Sequence, residues 1–442
     1  MRKKIVTILA FVFFITANAQ DKKWTLQECV NYALDHNISV KKSELTIKLR
    51  NEDVISRKGD LYPRISASTS QNLTFGSAQD RVTFQRVNAT SHSTSLGVNA
   101  GITVFNGFRI MNQVEQAKIG LEASKYDLDK LKDDISLLVV NSYLNVLFNK
   151  ENLKIAQSQI EVSQKQVDQI SKFVEAGVQP KSNLLEVEAN LANDAQKVVT
   201  AQNSLDLALL NLAQTLQLDY VGFEVEDIVV GDPSVLLMYN EAKPIYNMAL
   251  AIRSEIKSAE LNVESAAKGI DIAKSGFLPS LSFNYNFGSA ASFLELPFVT
   301  NQAFFYQLDE NKSNNFSLSL NIPIFSGFQV KSNVNSAKIN YEISQFNLED
   351  SKIQLREIIE RAYMDAKAAL KTFAAAKKNV TAQNESFKNS QESYNLGVMT
   401  SFDFEQVKNR LLNAQSSLIN AKYDFVFRTK VLDFYAGKSL ID

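Results

Sequence analysis

Four stretches of this chain alternate between apolar and small polar side chains, which is the two-residue period of a β-strand. The pattern predicts two strands in each half of the chain, at about residues 65–75, 95–105, 280–288 and 316–325. Serine, asparagine and glycine occupy most of the polar positions. Each stretch is about ten residues long, the length at which a tilted strand crosses a bilayer. We expect the residues between the strands of each pair, 76–93 and 288–315, to be loops.

Aromatic residues lie near the ends of these predicted strands, where the aromatic girdles of membrane-spanning strands occur. We therefore predict a girdle formed by Tyr62, Phe75, Phe105, Phe287 and Phe325. A pair of hairpins on a soluble sheet would show the same alternation, so the pattern alone leaves both interpretations open.

Each predicted strand pair is followed by a long helical hairpin. Residues 108–176 contain no proline and only one glycine, and residues 328–396 contain neither, so each stretch is expected to be one helix. At a rise of 1.5 Å per residue such a helix is on the order of 100 Å long. Gly177 and Gly397 then reverse the chain, and return helices complete hairpins at about 108–218 and 328–435.

Shorter helices are predicted in front of each strand pair. Thr25-Leu26-Gln27-Glu28 has the form of a capping box and opens a helix that runs to about Lys58. A second helical stretch, at about residues 245–275, has the same place in the other half of the chain. Both precede a proline, Pro63 or Pro279, that ends helical structure before the strands begin.

The two halves of the chain resemble each other in order and in detail. Phe105-Asn106-Gly107-Phe108 recurs as Phe325-Ser326-Gly327-Phe328, an offset of about 220 residues. Duplication on this scale indicates one structural unit used twice. We therefore divide the chain into repeats at 20–218 and 245–435, an irregular equatorial segment at 219–244 between them, and a C-terminal tail at 436–442.

Composition and the N-terminus limit the class of protein. The 47 basic and 48 acidic side chains balance, so nothing favours nucleic acid as a partner. Residues 1–19 combine a basic start, an apolar core and an Ala-x-Ala cleavage site, and we predict a cleavable signal peptide. The single cysteine, Cys29, lies on an apolar helix face and is expected to be buried.

The chain lacks the residue patterns that enzymes use. It has only two histidines, His36 and His92, no glycine-rich phosphate loop, and no spacing of histidine, cysteine and carboxylate typical of a metal site. We therefore predict no catalytic residues, no metal and no cofactor, and expect that the protein is not an enzyme.

Four strands cannot close a membrane barrel, because their outer edges would leave backbone groups unpaired in lipid. At least about eight strands are required, and an eight-stranded barrel is filled by its own side chains. Three copies would supply about twelve strands and twelve hairpin helices, with cyclic symmetry closing the ring. A trimer is favoured over a dimer on this argument, and strand count leaves a tetramer open.

The ordered set of motifs resembles the TolC family of outer-membrane efflux proteins along essentially the whole mature chain. The features that carry the resemblance are Trp24-Thr25-Leu26-Gln27-Glu28-Cys29, the prolines at 63 and 279, the Phe-x-Gly turns after the strands, Tyr394-Asn395-Leu396-Gly397, and Leu411-Leu412-Asn413-Ala414-Gln415. The resemblance implies a mainly α fold with a transmembrane β-barrel: a homotrimer with a twelve-stranded barrel in outer-membrane lipid, continued by long coiled-coil helices that form an α-barrel across the periplasm.

The resemblance also implies partners and a role. Such channels are passive and work with a periplasmic adaptor, or membrane fusion protein, and an inner-membrane transporter of the RND or ABC type. They export drugs, other toxic compounds or polypeptides. The sequence does not indicate which cargo this chain takes. An exported coiled-coil stalk without channel activity would explain the helices and the signal peptide, but not the symmetric strand pairs.

Two groups of residues are candidate sites by this resemblance. Gly177-Val178 and Gly397-Val398 match the family's periplasmic tips, where adaptors dock, although a glycine that only caps its helix would look the same. Asp403 lies near a position where relatives place constricting aspartates, and a ring of such carboxylates would favour cations. The other constriction candidates are Gln406, Asn183 and Glu186. Gln406 replaces a second aspartate, and Asp403 has an alternative reading as an exposed carboxylate at a helix N-terminus.

Overall fold

The computed structural model describes residues 23–79, 84–227, 239–295 and 299–438. The predicted signal peptide lies outside this part of the chain, as do residues 228–238 of the predicted equatorial segment. Within the described residues, no helix combines the length and the apolar character needed to cross a bilayer.

The elements follow one another in nearly the same order in the two halves of the chain. They are β1 (Lys23–Trp24), α1 (Leu26–His36), α2 (Ile38–Gly59), β2 (Arg64–Gln79), β3 (Arg86–Asn106), α3 (Arg109–Glu175), α4 (Lys181–Leu216), β4 (Glu224–Val225), α5 (Ala242–Ile252), α6 (Ser254–Lys274), a 3-10 turn at Ser275–Phe277, β5 (Ser280–Glu295), α7 (Phe304–Glu310), β6 (Ser313–Asn321), α8 (Gln329–Asn395) and α9 (Ser401–Tyr435). Secondary structure is mainly helical, and the long helices lie where the absence of proline predicts them.

The chain divides into two compact units, and each unit takes segments from both halves. The helical unit comprises residues 1–44, 127–256 and 351–442, and the sheet unit comprises residues 45–126 and 257–350. A sequence repeat is therefore not a compact unit by itself.

The two shorter helices are each broken once, which the sequence reading missed. Thr25 and Glu28 form the predicted capping box at the start of α1. The helix then stops at Asn37, whose φ and ψ are −59° and 128°. Arg253 breaks the corresponding helix of the second half with nearly the same angles, −70° and 129°. Neither break uses glycine or proline, so local composition gives no signal for it.

In the sheet unit four antiparallel strands pair in the order β2-β3-β5-β6. The first three are longer than predicted. Residues 76–79, 86–93 and 288–295, which the sequence analysis assigns to loops, extend these strands. In contrast, β6 ends at Asn321 instead of near 325, because Pro323 has no N–H to continue the ladder.

The two faces of this sheet differ sharply. Cross-strand neighbours share a face, and one face carries rows such as Ile102, Phe283 and Leu318. Its large apolar side chains stand exposed on the single chain: Ile65 is 71% exposed and Leu318 67%. The opposite face carries small polar rows such as Ser66, Asn99, Asn286 and Asn315.

In the helical unit the two long helices α3 and α8 are tied to the equatorial segment by equivalent tyrosines. The buried Tyr143 donates from its hydroxyl to the carbonyl of Glu226 at 2.8 Å and lies 3.2 Å from that of Trp24. Tyr363 donates in the same way to the carbonyl of Asn240. Burial raises the pKa of Tyr143, so its hydroxyl remains a donor. The predicted burial of Cys29 is confirmed.

Candidate functional site

The reversals at the ends of the long helices are built alike in both hairpins. Gly177 has a φ of +70° and Gly397 a φ of +74°, the left-handed region that favours glycine. Val178 N–H donates to the carbonyl of Phe173 at 2.8 Å, and Val398 N–H donates to that of Ser393 at 2.9 Å. These bonds, with those of the glycine N–H groups, form a Schellman motif. The capping interpretation of both glycines is therefore confirmed.

Immediately after each glycine, a valine side chain projects into solvent. Val178 is 71% exposed and Val398 81%, and Leu396 beside the second tip is 80% exposed. Apart from the adjacent residues, no described atom lies within 4 Å of where a Cβ on either glycine would stand. Each tip thus presents an apolar side chain on an uncrowded turn, a geometry suited to contact with another molecule.

The return helices begin differently in the two hairpins. Thr400 caps α9, and its Oγ1 accepts from the N–H of Asp403 at 3.1 Å and donates to the Asp403 carboxylate at 2.7 Å. In the first hairpin Pro180 precedes α4 and provides no side-chain cap. Asp403 therefore strengthens a helix start and also places a charge at the tip.

The four constriction candidates occupy equivalent places just inside the two return helices. Asp403, Gln406 and Glu186 are exposed, and Asn183 is half-buried. All four are described, and no hydrogen bond or ion pair joins one to another. The single chain thus leaves Gln406 and Glu186 open to solvent or to other molecules, whereas Asp403 accepts a hydrogen bond from Thr400 and Asn183 Nδ2 donates to Gln179 Oε1 at 3.5 Å.

An aromatic cluster supports the second tip. Phe404 is 1% exposed and stacks on Tyr394, with ring centroids 4.7 Å apart, and packs against Phe387 at 5.5 Å. Burial raises the pKa of the Tyr394 hydroxyl, and the nearby carboxylate of Glu186 acts in the same direction.

Above the tips a buried ionic cluster joins three helices. The Nζ atom of Lys408, on α9, lies 3.0 Å from Oδ2 of Asp194 on α4 and 2.9 Å from Oγ of Ser163 on α3. Ser163 Oγ in turn donates to Asp194 Oδ2 at 2.5 Å. The side chains of Lys408 and Asp194 are each 1% exposed. We call Ser163, Asp194 and Lys408 the buried clasp.

Partly exposed groups complete the hydrogen bonding around the clasp. Lys197 Nζ lies 2.9 Å from Asp194 Oδ1 and also donates to Asn409 Oδ1 at 3.1 Å. Glu405 Oε2 lies 2.6 Å from Lys408 Nζ. Burial alone would raise the pKa of Asp194, but hydrogen bonds from Ser163 and Lys197 and the charge of Lys408 hold it below its ordinary value. The Asp194 carboxylate is thus ionised at neutral pH.

The clasp is absent from the other repeat. At an offset of 220 residues, Glu188 corresponds to Lys408, Ala414 to Asp194 and Gln383 to Ser163. A symmetric fold does not require these charges, so the clasp is specific to the α3–α4–α9 contact. A cleft of about 920 Å³ opens beside it and is lined largely by amide and hydroxyl side chains.

Sequence reasoning missed the clasp, although a signal exists. Lys408 follows Phe404 and Val407 and precedes Leu411 at the spacing of a buried helix face, and Asp194 lies seven residues after Val187 on another. Opposite charges on two apolar stripes indicate a buried pair. The sequence does not show that these two stripes meet.

The predicted girdle residues do not all lie at strand ends. Tyr62 precedes β2, Phe105 is next to the last residue of β3 and Phe325 follows β6, so these three cluster at one end of the sheet. Phe75 and Phe287 lie within β2 and β5, because both strands extend further than predicted. The described residues contain no group of three or more histidine, cysteine or carboxylate side chains arranged to hold a metal ion.

Known proteins are similar to this chain in sequence. Outer membrane protein TolC of Escherichia coli K12 is 24% identical over 264 residues, covering 59% of this chain and 52% of the relative. Alkaline protease secretion protein AprF of Pseudomonas aeruginosa is 23% identical over 271 residues, covering 60% of this chain and 53% of the relative. The chain thus aligns with about half the length of these two relatives.

The fold is also found in a solved structure. The crystal structure of CusC matches with a TM-score of 0.79 at 17% identity and covers 97% of this chain and 96% of CusC. The family model for the outer membrane efflux protein matches residues 29–216 and 245–438, which correspond to the two repeats. Because this match extends over well more than half of the chain, the chain belongs to the outer membrane efflux protein family, of which TolC is a member.

Proposed function

We propose that the chain is a subunit of a passive outer-membrane channel that exports small molecules, such as drugs and toxic compounds, or polypeptides from the periplasm to the exterior. The two-faced sheet carries this proposal. Large apolar side chains are exposed on one face and small polar ones on the other, as expected for strands with lipid on one side and water on the other. Tyr62, Phe105 and Phe325 would lie at a membrane interface.

A trimer would close the sheet. Within the described residues β2 and β6 each have one neighbouring strand, so each leaves an edge unpaired. Because the four strands alternate in direction, β2 and β6 run in opposite directions, and β6 of one copy can pair antiparallel with β2 of the next. Three copies of four strands make a twelve-stranded barrel with no free edge. The long hairpins of the three copies would then form an α-barrel across the periplasm.

The tips would dock a periplasmic adaptor that links the channel to an inner-membrane transporter of the RND or ABC type. Exposed Val178 and Val398 on open turns support this assignment. The names of the relatives suggest more than one kind of cargo, since AprF is named for protease secretion. In the trimer, Asp403 and Gln406 with Asn183 and Glu186 would narrow the periplasmic entrance.

Conductance of the purified mature protein tests the proposal. We expect that the detergent-purified chain migrates as a trimer and gives stepwise conductance in a planar bilayer. A folded protein that remains monomeric without detergent, or one that gives no conductance at any voltage, would favour the exported stalk instead. A deletion strain scored against toxic compounds and for secreted proteins, with the complemented strain beside it, would then identify the cargo class.

A further inference from the structure

A polar cavity of about 480 Å³ lies in the sheet unit, where the polar face of the sheet meets the start of α3. Arg57, Arg64 and Arg109 line it, and Asp60 is the only carboxylate among the lining residues. Most of its sheet residues, among them Gly101, Ser282 and Asn284, belong to the small polar face, and Ile102 is the exception. The cavity therefore opens away from the exposed apolar face.

Two hydrogen-bond donors in this cavity have no acceptor among the residues that the structure describes. Asn106 Oδ1 accepts from the N–H of Ile110 at 3.4 Å, which fixes the amide and leaves Nδ2 shielded from solvent with no partner among the described residues. The guanidinium of Arg109 likewise makes no hydrogen bond or ion pair within the described part of the chain. Buried donors are nearly always satisfied, so the Asn106 amide indicates a missing acceptor, and the exposed guanidinium of Arg109 lies on the same cavity as a second donor.

The other charges around the cavity leave it positive. Arg64 is paired with Asp60 at 2.5 Å, and Arg57 with Asp53 at 3.4 Å. Arg109 is the first residue of α3, where the backbone N–H groups and the helix dipole add positive potential. An oxygen anion is the ligand that satisfies both unpaired donors and this potential.

The second repeat makes the same turn without this chemistry. Gly327 and Phe328 have positive φ angles, as do Gly107 and Phe108. Ser326 replaces Asn106, and its Oγ accepts from the N–H of Val330 at 3.4 Å. Gln329 replaces Arg109 and Ser280 lies near the place of Arg64. A smaller cavity at this turn, about 220 Å³, is lined mainly by apolar residues and Lys331. The fold therefore does not require the arginines.

We propose that Asn106 and Arg109, flanked by Arg57 and Arg64, form an oxyanion-binding pocket for a phosphate, sulfonate or carboxylate group. If the polar face lines the conduit, as the proposed channel function requires, the pocket faces passing solutes and would favour anionic cargo at this level of the channel. A lipid phosphate has the same chemistry, and the experiment below separates the two sources.

Binding of inorganic phosphate to the full mature protein tests the pocket. Phosphorus NMR line broadening is measured in a phosphorus-free maltoside detergent. We expect saturable binding to the wild type, and at least about tenfold weaker binding to Arg109→Gln, since a charge-assisted bond is lost. Asn106→Ser should weaken binding by several-fold while keeping the helix cap. Both variants copy residues that the second repeat already uses, so they should fold.

Arg361→Gln is the matched control, because it removes the same charge from an exposed position outside the pocket. Equal phosphate affinity for wild type and Arg109→Gln, or no broadening of the phosphate signal by the wild type, would overturn the proposal. Phosphatidylglycerol added to the micelles separates the sources: displacement of phosphate identifies a lipid headgroup as the occupant, and no displacement identifies a soluble anion. Binding is read without conductance, so a failed channel assay with intact binding rejects only the channel.

Discussion

Lys408 and Asp194 lie 214 residues apart in the sequence and form an ion pair of 3.0 Å in which both side chains are 1% exposed. Each belongs to a different repeat. A buried charge without a partner costs several kcal/mol, whereas a fully hydrogen-bonded pair is tolerated. We therefore expect the pair to favour the hairpin contact in which these two side chains meet over one in which either charge is buried alone.

We predict that Asp194→Asn lowers the free energy of unfolding by about 2 kcal/mol, because the buried Lys408 ammonium loses its charge-assisted bond to Asp194 and keeps the carboxylate of Glu405. Denaturant unfolding of the detergent-purified protein, followed by circular dichroism, measures this. Glu188→Gln, an exposed change of the same kind on the same helix, should have almost no effect. A double-mutant cycle with Lys408→Met should show coupling of more than about 1 kcal/mol. Additive losses would show that the pair does not act as a unit.

The same pair predicts a pH dependence of stability. The pKa of Asp194 is lower in the folded state than its ordinary value of 3.8, so its carboxylate stabilises the fold above that pH. The contribution is lost as pH falls through the folded-state pKa. The difference in unfolding free energy between wild type and Asp194→Asn should therefore be constant from neutral pH to about pH 5 and shrink below about pH 4. A difference that persists unchanged at pH 3 would contradict this.

Tyr143 and Tyr363 should each contribute to stability through their hydroxyl groups. Replacing either with phenylalanine leaves a carbonyl of the equatorial segment without its donor, and we expect a loss of about 1–3 kcal/mol for each. Because the two tyrosines hold different carbonyls, their effects should add. Tyr126→Phe is the control, because the hydroxyl of Tyr126 makes no hydrogen bond within the part of the chain that the structure describes. If neither variant loses more unfolding free energy than Tyr126→Phe, the hydrogen bonds of these hydroxyls do not contribute to stability.

The type and order of most elements follow from the sequence alone. Period-two alternation locates the four strands, and the absence of proline predicts the long helices. The start of β3 could not be predicted, because residues 86–93 are mostly polar and alternate only weakly, through Val87 and Ala89. Pairing with β2, and with β5 from Thr90 onward, holds them extended, and this is a long-range effect.

The helix breaks and the clasp could not be predicted from the sequence, for related reasons. Arg253 ends a helix because of its contacts with residues distant in the sequence. Its guanidinium pairs with Asp133 at 3.0 Å, donates to the carbonyl of Phe434 at 2.6 Å and lies over the ring of Phe434. The turns at Gly177 and Gly397 are predictable, because a left-handed residue after a long helix is a local requirement. The pairing of helix faces depends on contacts between residues that are distant in the sequence. The contact between Lys408 and Asp194 therefore could not be predicted.

Asp403 offers a test of the proposed constriction. Asp403→Asn keeps an oxygen acceptor for Thr400, so the start of α9 should remain intact while one charge per subunit is removed. We expect a lower ratio of cation to anion permeability in single-channel recordings, since a ring of carboxylates favours cations. Gln406→Glu adds a charge at the neighbouring candidate position and should raise the ratio. Unchanged selectivity in both variants would leave Asp403 as a helix-capping residue only.

The exposed valines of the two tips test adaptor docking without disturbing the turns. Val178→Lys combined with Val398→Lys keeps both glycines and both Schellman motifs, and the side chains are 71% and 81% exposed, so folding should be unaffected. Burying two added charges against an apolar partner is unfavourable. We therefore expect export in a complemented deletion strain to fall at least about tenfold, while native gels still show trimers. Val221→Lys, at a residue 85% exposed and outside the tips, should export normally. Normal export by the double variant would show that the partner does not dock at the tips.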